Sequence, residues 1–160
     1  MTEDEMVERL RVVARARDMP PPATPEAVAE AERIIGFRVP PLLRRLYLDV
    51  ANGGFGPGRG VLGVRGGNWD GGNFQHIAEL YEQGPDPSGR IPAGMVLLYD
   101  WGCTIWSMAD FRDPSGPMWC THQGDFWPQG ITLAEWIADT TAGSQNLDTL
   151  LASGPASARE

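Results

Sequence analysis

The chain has 160 residues, 42% of them hydrophobic and 9% aromatic, and sets 13 arginines and no lysine against 21 acidic residues, for a formal net charge of −8. That length and apolar content suffice to bury about two thirds of the unfolded surface, so one globular domain is expected rather than a wholly disordered chain. The lack of lysine excludes a phosphate-binding-loop lysine, a Schiff base and a lysine general base.

Thr2 and Glu5 have the spacing of a capping box, and Met6, Val7, Leu10, Val13 and Ala14 recur on one face, which predicts a helix to about Arg17. The run DMPPPAT breaks it. Thr24, Pro25 and Glu26 combine an N-cap, a first-turn proline and an acid suited to the helix dipole. They open a second helix with Val28, Ala31 and Ile35 on its apolar side and Gly36 as its stop. After FRVP, a third helix carries Leu42, Leu43, Leu46, Tyr47 and Val50 and ends at ANGG, where Asn52, Gly53 and Gly54 are expected in the left-handed conformation.

Gly58, Gly60 and Gly63 then match the dinucleotide fingerprint G-x-G-x-x-G. That fingerprint needs a strand before it and a helix after it, so that the helix N-terminus can hold a pyrophosphate. Here the glycines follow a helix and run into VLGVRGGNWDGG, so they read as a helix cap and a flexible strand entry, and no cofactor is expected.

A short helix is predicted from Asn73 to about Glu82, followed by the turn-rich QGPDPSGRIP. MVLLYD, CTIWSMADF and PMWCTHQ then read as three strands of an antiparallel meander. Both faces of the middle strand carry apolar residues, so helices are expected to cover one side of the sheet and leave the other partly open. Thr132 with Glu135 opens a helix through Leu133, Trp136 and Ile137 to Ala142, SQNLDTLL is a candidate last helix, and ASGPASARE reads as a mobile tail. The expected fold is α+β, a single domain with an antiparallel-rich twisted sheet packed against N-terminal and C-terminal helices.

Charge is unevenly placed. Residues 1–65 carry ten arginines and nine acids, whereas residues 66–158 carry two arginines and eleven acids. The second half should repel nucleic acid and anionic membrane and attract a basic protein, although an acidic surface also serves solubility alone. No apolar run approaches the ~20 residues of a membrane span, and the acidic start MTEDEMVERL is unlike a secretory signal, so a cytoplasmic location is expected. Cys103 and Cys120 fit a reducing compartment or one disulfide equally well.

The run PEAVAEAERIIGFRVPPLLRRLYLDVANGGFGPG resembles the opening of the SUKH superfamily, named after yeast cell-wall-assembly regulators and bacterial immunity proteins. MVLLYDWGCTIWSMADF, GPMWCTHQ and TLAEWI are similar to the strand meander and closing helix of its actinobacterial members. The resemblance spans residues 24–143 and leaves an N-terminal helix with a proline-rich linker (1–23) and a short helix with a tail (144–160) outside it. GVRGGNWDGGN departs from the family pattern. The resemblance implies a non-catalytic protein-binding domain. The expected role is that of an immunity protein, which neutralises a basic toxin, nucleases among the candidates, by direct binding as a monomer or weak dimer. The alternative it implies is a housekeeping regulator or scaffold domain.

Interface hot spots favour tryptophan, tyrosine and arginine. Trp106, Trp119 and Trp136 fall on strand or helix positions where core packing is expected, whereas three other tryptophans stand near acids in predicted turns. Trp69, Asp70, Asp100, Trp101, Asp125 and Trp127 are therefore the candidate partner-binding residues. Two chemical alternatives compete. Cys120 and His122 share a strand face, as a nucleophile and its base would in a cysteine-dependent hydrolase, but no nucleophile motif surrounds them. Cys103, Cys120 and His122, with His76, are zinc-type ligands lacking a C-x-x-C pair, so no metal site and no catalytic residue are expected.

Overall fold

Capping residues set the helices of the computed structural model, which describes residues 1–72, 74–84, 89–142 and 147–155. Helix α1 (Glu3–Arg17) starts with the expected capping box, in which Glu5 N–H donates to Thr2 Oγ1 at 3.2 Å and Thr2 N–H donates to Glu5 Oε2 at 2.7 Å. Helix α2 (Pro25–Ile35) begins at Thr24, whose hydroxyl accepts from Ala27 N–H, and stops at Gly36 with φ of 84°. Helix α3 spans Pro41–Asp49. Helix α4 (Ile77–Gln83) starts later than the sequence predicts, behind His76, and the expected first residue, Asn73, lies outside the described residues. Helices α5 (Leu133–Ala142) and α6 (Leu147–Ala152) follow the sheet.

The sheet is an antiparallel meander in the order β1-β2-β3-β4, built from Met95–Gly102, Ile105–Asp110, Met118–His122 and Asp125–Pro128. The fold is thus α+β, with helices at both ends of the chain. Strand β4 is a correction: Asp125 and Trp127 were expected in a turn and instead pair in register, His122 with Asp125 and Cys120 with Trp127. Strand β1 likewise extends through Asp100 and Trp101, so the turn falls at Cys103 and Thr104.

The alternation of a sheet explains where the core lies. Val96, Ala109 and Met118 face the helices and join Leu43, Leu46, Trp136 and Ile137 in the main core. On the opposite face Trp106, Trp119 and Phe126 are only half-buried, so one side is covered and the other partly open, as expected. Met6, Val7 and Leu10 of α1 belong to the same core, and Arg45 pairs with Asp4 at 2.7 Å, so the N-terminal helix is integral to the domain. Leu150 of α6 forms a second cluster with Ile105, Cys120 and Trp127. Of the expected mobile tail, Ser153 accepts from Trp127 Nε1 and Gly154 is buried, so that part is packed, and residues 156–160 lie outside the described residues.

Candidate partner-binding cleft

The glycine-rich stretch after α3 is folded around two asparagines. Asn52 is buried; its Nδ2 donates to the carbonyls of Val64 (3.3 Å) and Arg65 (3.1 Å), and its Oδ1 accepts from Val64 N–H at 2.9 Å. Asn68 Nδ2 donates to the carbonyls of Arg59 (3.2 Å) and Val61 (3.1 Å). Asn52 is thus not a left-handed cap; it serves as the internal anchor of the loop, while Gly53 and Gly54 take the positive φ. A Cβ on Gly53 would lie 2.6 Å from the Val61 carbonyl oxygen, so the glycine is there for close backbone approach rather than for a phosphate. Tyr47 of α3 donates to the Leu62 carbonyl at 2.6 Å, and Leu62 N–H donates to the Leu98 carbonyl of β1 at 2.9 Å. Burial holds the Tyr47 phenol far above its ordinary range, so it stays a neutral donor. The loop is thereby tied both to a helix and to the sheet.

This anchoring builds a cleft of about 390 Å³ between the loop and the end of β1. Its walls include Arg59, Trp69, Phe74, Tyr99, Asp100 and Trp101. The rings are ordered by edge contacts: Trp69 meets Phe74 at 5.4 Å and 75°, and Tyr99 meets Trp101 at 4.8 Å and 73°. Trp101 Nε1 donates to Ser107 Oγ at 2.8 Å, which fixes the indole across the strand pair. Asp100 Oδ1 accepts from Gly102 N–H at 2.8 Å, which holds the carboxylate at the mouth of the turn. Gly58 has no side chain because a Cβ would fall 2.6 Å from Tyr99 Oη. Burial first, and then the charge of Asp100, raises the pKa of Tyr99.

Trp69 has φ of 71°, a left-handed conformation that costs a non-glycine residue about 1–2 kcal/mol. Its ring is held on one side by Phe74 and on another by the exposed Arg59, whose guanidinium carbon lies 5.6 Å from the ring centroid. Strain of this kind concentrates at sites that bind.

Of the six residues expected at a partner surface, Trp69, Asp100 and Trp101 meet in this cleft. Asp70 is adjacent in sequence but turns its carboxylate to Gly66 N–H at 2.6 Å, beside His76 and Glu79. Asp125 lies at the same end of the sheet on β4, three strand spacings from β1, about 14 Å away. Trp127 is a correction. It is 6% exposed, covered by Leu150, and its Nε1 donates to Ser153 Oγ at 3.2 Å, so it is a core residue. Three cleft residues escaped the sequence reading: Arg59, Phe74 and Tyr99. The G-R-G triplet at 58–60 and the aromatic immediately before the Asp100–Trp101 pair were the available signals.

No protein-family model matches the chain, and no curated protein does. Within the chain itself, Cys120 is fully buried, and burial pushes its thiol up to about 12, opposite to the shift that activates a nucleophile. Cys103 is exposed at the β1–β2 turn and both thiols are free. Among the described residues no helix is long and apolar enough to cross a membrane. A larger depression of about 880 Å³ lies between α3 and the β2–β3 connection. It is the more basic of the two, with Arg38, Arg44, Arg45 and Arg112 against Glu32 and Asp49, beside Phe37 and Phe111.

Proposed function

We propose that this chain is a cytoplasmic protein-binding domain of the immunity type, kin to the SUKH superfamily, which neutralises a basic toxin by direct contact, a nuclease being the first candidate. The observation that carries the reading is the cleft itself: ordered aromatic rings and the rim residue Asp100, all contributed by the half of the chain with the acidic excess. Aromatic side chains fixed by their neighbours contribute contact area at little entropic cost, and nearby carboxylates supply the complement to lysine and arginine. A partner cation would take the place of Arg59 over Trp69, gaining a cation–π contact strengthened as water leaves. The acidic half would steer the encounter and make association fall with salt.

The test is retention of a basic protein from a lysate of the source organism, compared across variants of the immobilised chain. A partner held by the native chain, lost with Trp69→Ala and Asp100→Asn, and retained with Arg38→Glu and Arg44→Glu supports the reading. Retention by the cleft variants of whatever the native chain holds, with its loss in the arginine variants, would overturn the reading in favour of a partner in the larger depression.

A further inference from the structure

His76 is 1% exposed, yet neither of its ring nitrogens makes a hydrogen bond. A neutral imidazole has one donor and one acceptor, and leaving both unmatched in the interior is uncommon. Nε2 lies 2.9 Å from Glu79 Oε1, but the contact lacks hydrogen-bond direction. His122 Nδ1, Trp136 Nε1 and the Gln129 amide are also buried without partners, but His76 alone among them stands in a set of ligands. One donor atom each from Asp70, His76 and Glu79 lie within 4.8 Å of one another, the one such grouping among the described residues.

The geometry points to a site for a divalent first-row transition ion held by Asp70, His76 and Glu79, with zinc as the reference ion. An imidazole nitrogen with two carboxylates is a ligand set that zinc accepts, and three protein ligands leave a fourth position for water or a donor from a bound partner. Ligands at ~2.0–2.1 Å around a tetrahedral ion stand about 3.3 Å apart, so small side-chain rotations close the present spread. In such an arrangement the ion lies on the nitrogen lone-pair direction and the Glu79 oxygen does not, which accounts for a close contact with no hydrogen bond.

Charge agrees with this assignment. Arg65 is engaged by Glu30, with Nε 3.0 Å and Nη2 2.7 Å from its carboxylate oxygens. Asp70 and Glu79 then add two negative charges beside the histidine, matched by one divalent cation. The Gly66 N–H orients the Asp70 carboxylate, as an outer-shell donor does at metal sites. The second imidazole nitrogen has no outer-shell acceptor, and such a partner is worth about 10–100-fold in affinity. The site should therefore be exchangeable and release zinc to a chelator.

The experiment is titration of the full chain, in a Cys103→Ser background and after chelator treatment, with Zn2+ by calorimetry and with Co2+ by visible absorption. One equivalent of each ion is expected, with a Co2+ d–d band and a zinc-dependent rise in Tm. Asp70→Asn and Glu79→Gln, both at partly exposed positions, should each weaken zinc at least tenfold while far-UV circular dichroism stays native, and His76→Gln should abolish the cobalt band. His122→Gln should bind as the parent does. Absence of saturable stoichiometric binding, or native affinity in both carboxylate variants, overturns the assignment, and those two variants carry the test even if His76→Gln does not fold.

Discussion

Replacing Asn52 with alanine tests whether the loop is held by one buried amide. The change strands the Val64 N–H inside a fully buried residue, whereas the Val64 carbonyl keeps the Gly67 N–H at 3.0 Å and the Arg65 carbonyl belongs to an exposed residue and can turn to water. A stranded buried group costs about 1–3 kcal/mol, so Asn52→Ala should destabilise the protein by about 2 kcal/mol. With a urea m-value of about 2 kcal/mol/M, the unfolding midpoint should fall by about 1 M. Asn52→Asp keeps the acceptor for Val64 N–H but sets a carboxylate against two carbonyls, so it should be no better than alanine. Equilibrium urea unfolding followed by tryptophan fluorescence and by far-UV circular dichroism measures both variants. A midpoint shift below about 0.5 M for Asn52→Ala would refute the anchoring argument.

Three further outcomes follow from the same geometry. Native protein should react with one equivalent of a thiol reagent at Cys103, and Cys120 should join only in denaturant, since a thiol pushed up to about 12 is ionised in about one molecule in ten thousand at pH 8; mass spectrometry of the labelled peptides reads this directly. Cys103 and Thr104 form the two-residue β1–β2 turn with φ of 53° and 65°, so Cys103→Asn with Thr104→Gly should stabilise by about 1–2 kcal/mol and raise Tm by about 3–6 °C, measured calorimetrically. The Arg112 guanidinium holds the Asp110 carboxyl below its unfolded value of 3.8. Its stabilisation is therefore complete above that value and is lost as pH falls through the lower folded pKa; Asp110→Asn should flatten the stability-versus-pH curve in that acid range while changing little of its slope near neutrality.

Local signals were legible in the sequence because their partners are close along the chain. Thr2 with Glu5, Thr24 with Ala27 N–H, and Thr132 with Glu135 are each complete within three residues, so spacing alone located three helix starts. The cleft was half legible for the same reason. Asp100 and Trp101 are neighbours, but their juxtaposition with Trp69 depends on Asn52 drawing the 53–68 loop against β1. Trp127 shows the limit. Gly124, Pro128 and Gly130 around it read as turn residues, whereas its burial comes from Leu150 and Ser153, more than twenty residues later. His76 and Glu79 have a visible H-x-x-E spacing, but the approach of Asp70 depends on a turn in which Trp69 adopts a left-handed conformation that its residue type disfavours.

The ends of the meander bear on how this chain avoids its own copies. A sheet edge is a row of unpaired backbone groups that invites another strand, and proteins blunt it with short strands, proline or a covering segment. Both edges here are guarded. The 61–64 segment lies along β1 through the Leu62–Leu98 bond, and β4 is four residues long and ends in Pro128, which brings no N–H to its place opposite Trp119. Strand addition is therefore a poor route for either self-assembly or partner capture. Recognition then falls to the side chains that the sheet and its loops present.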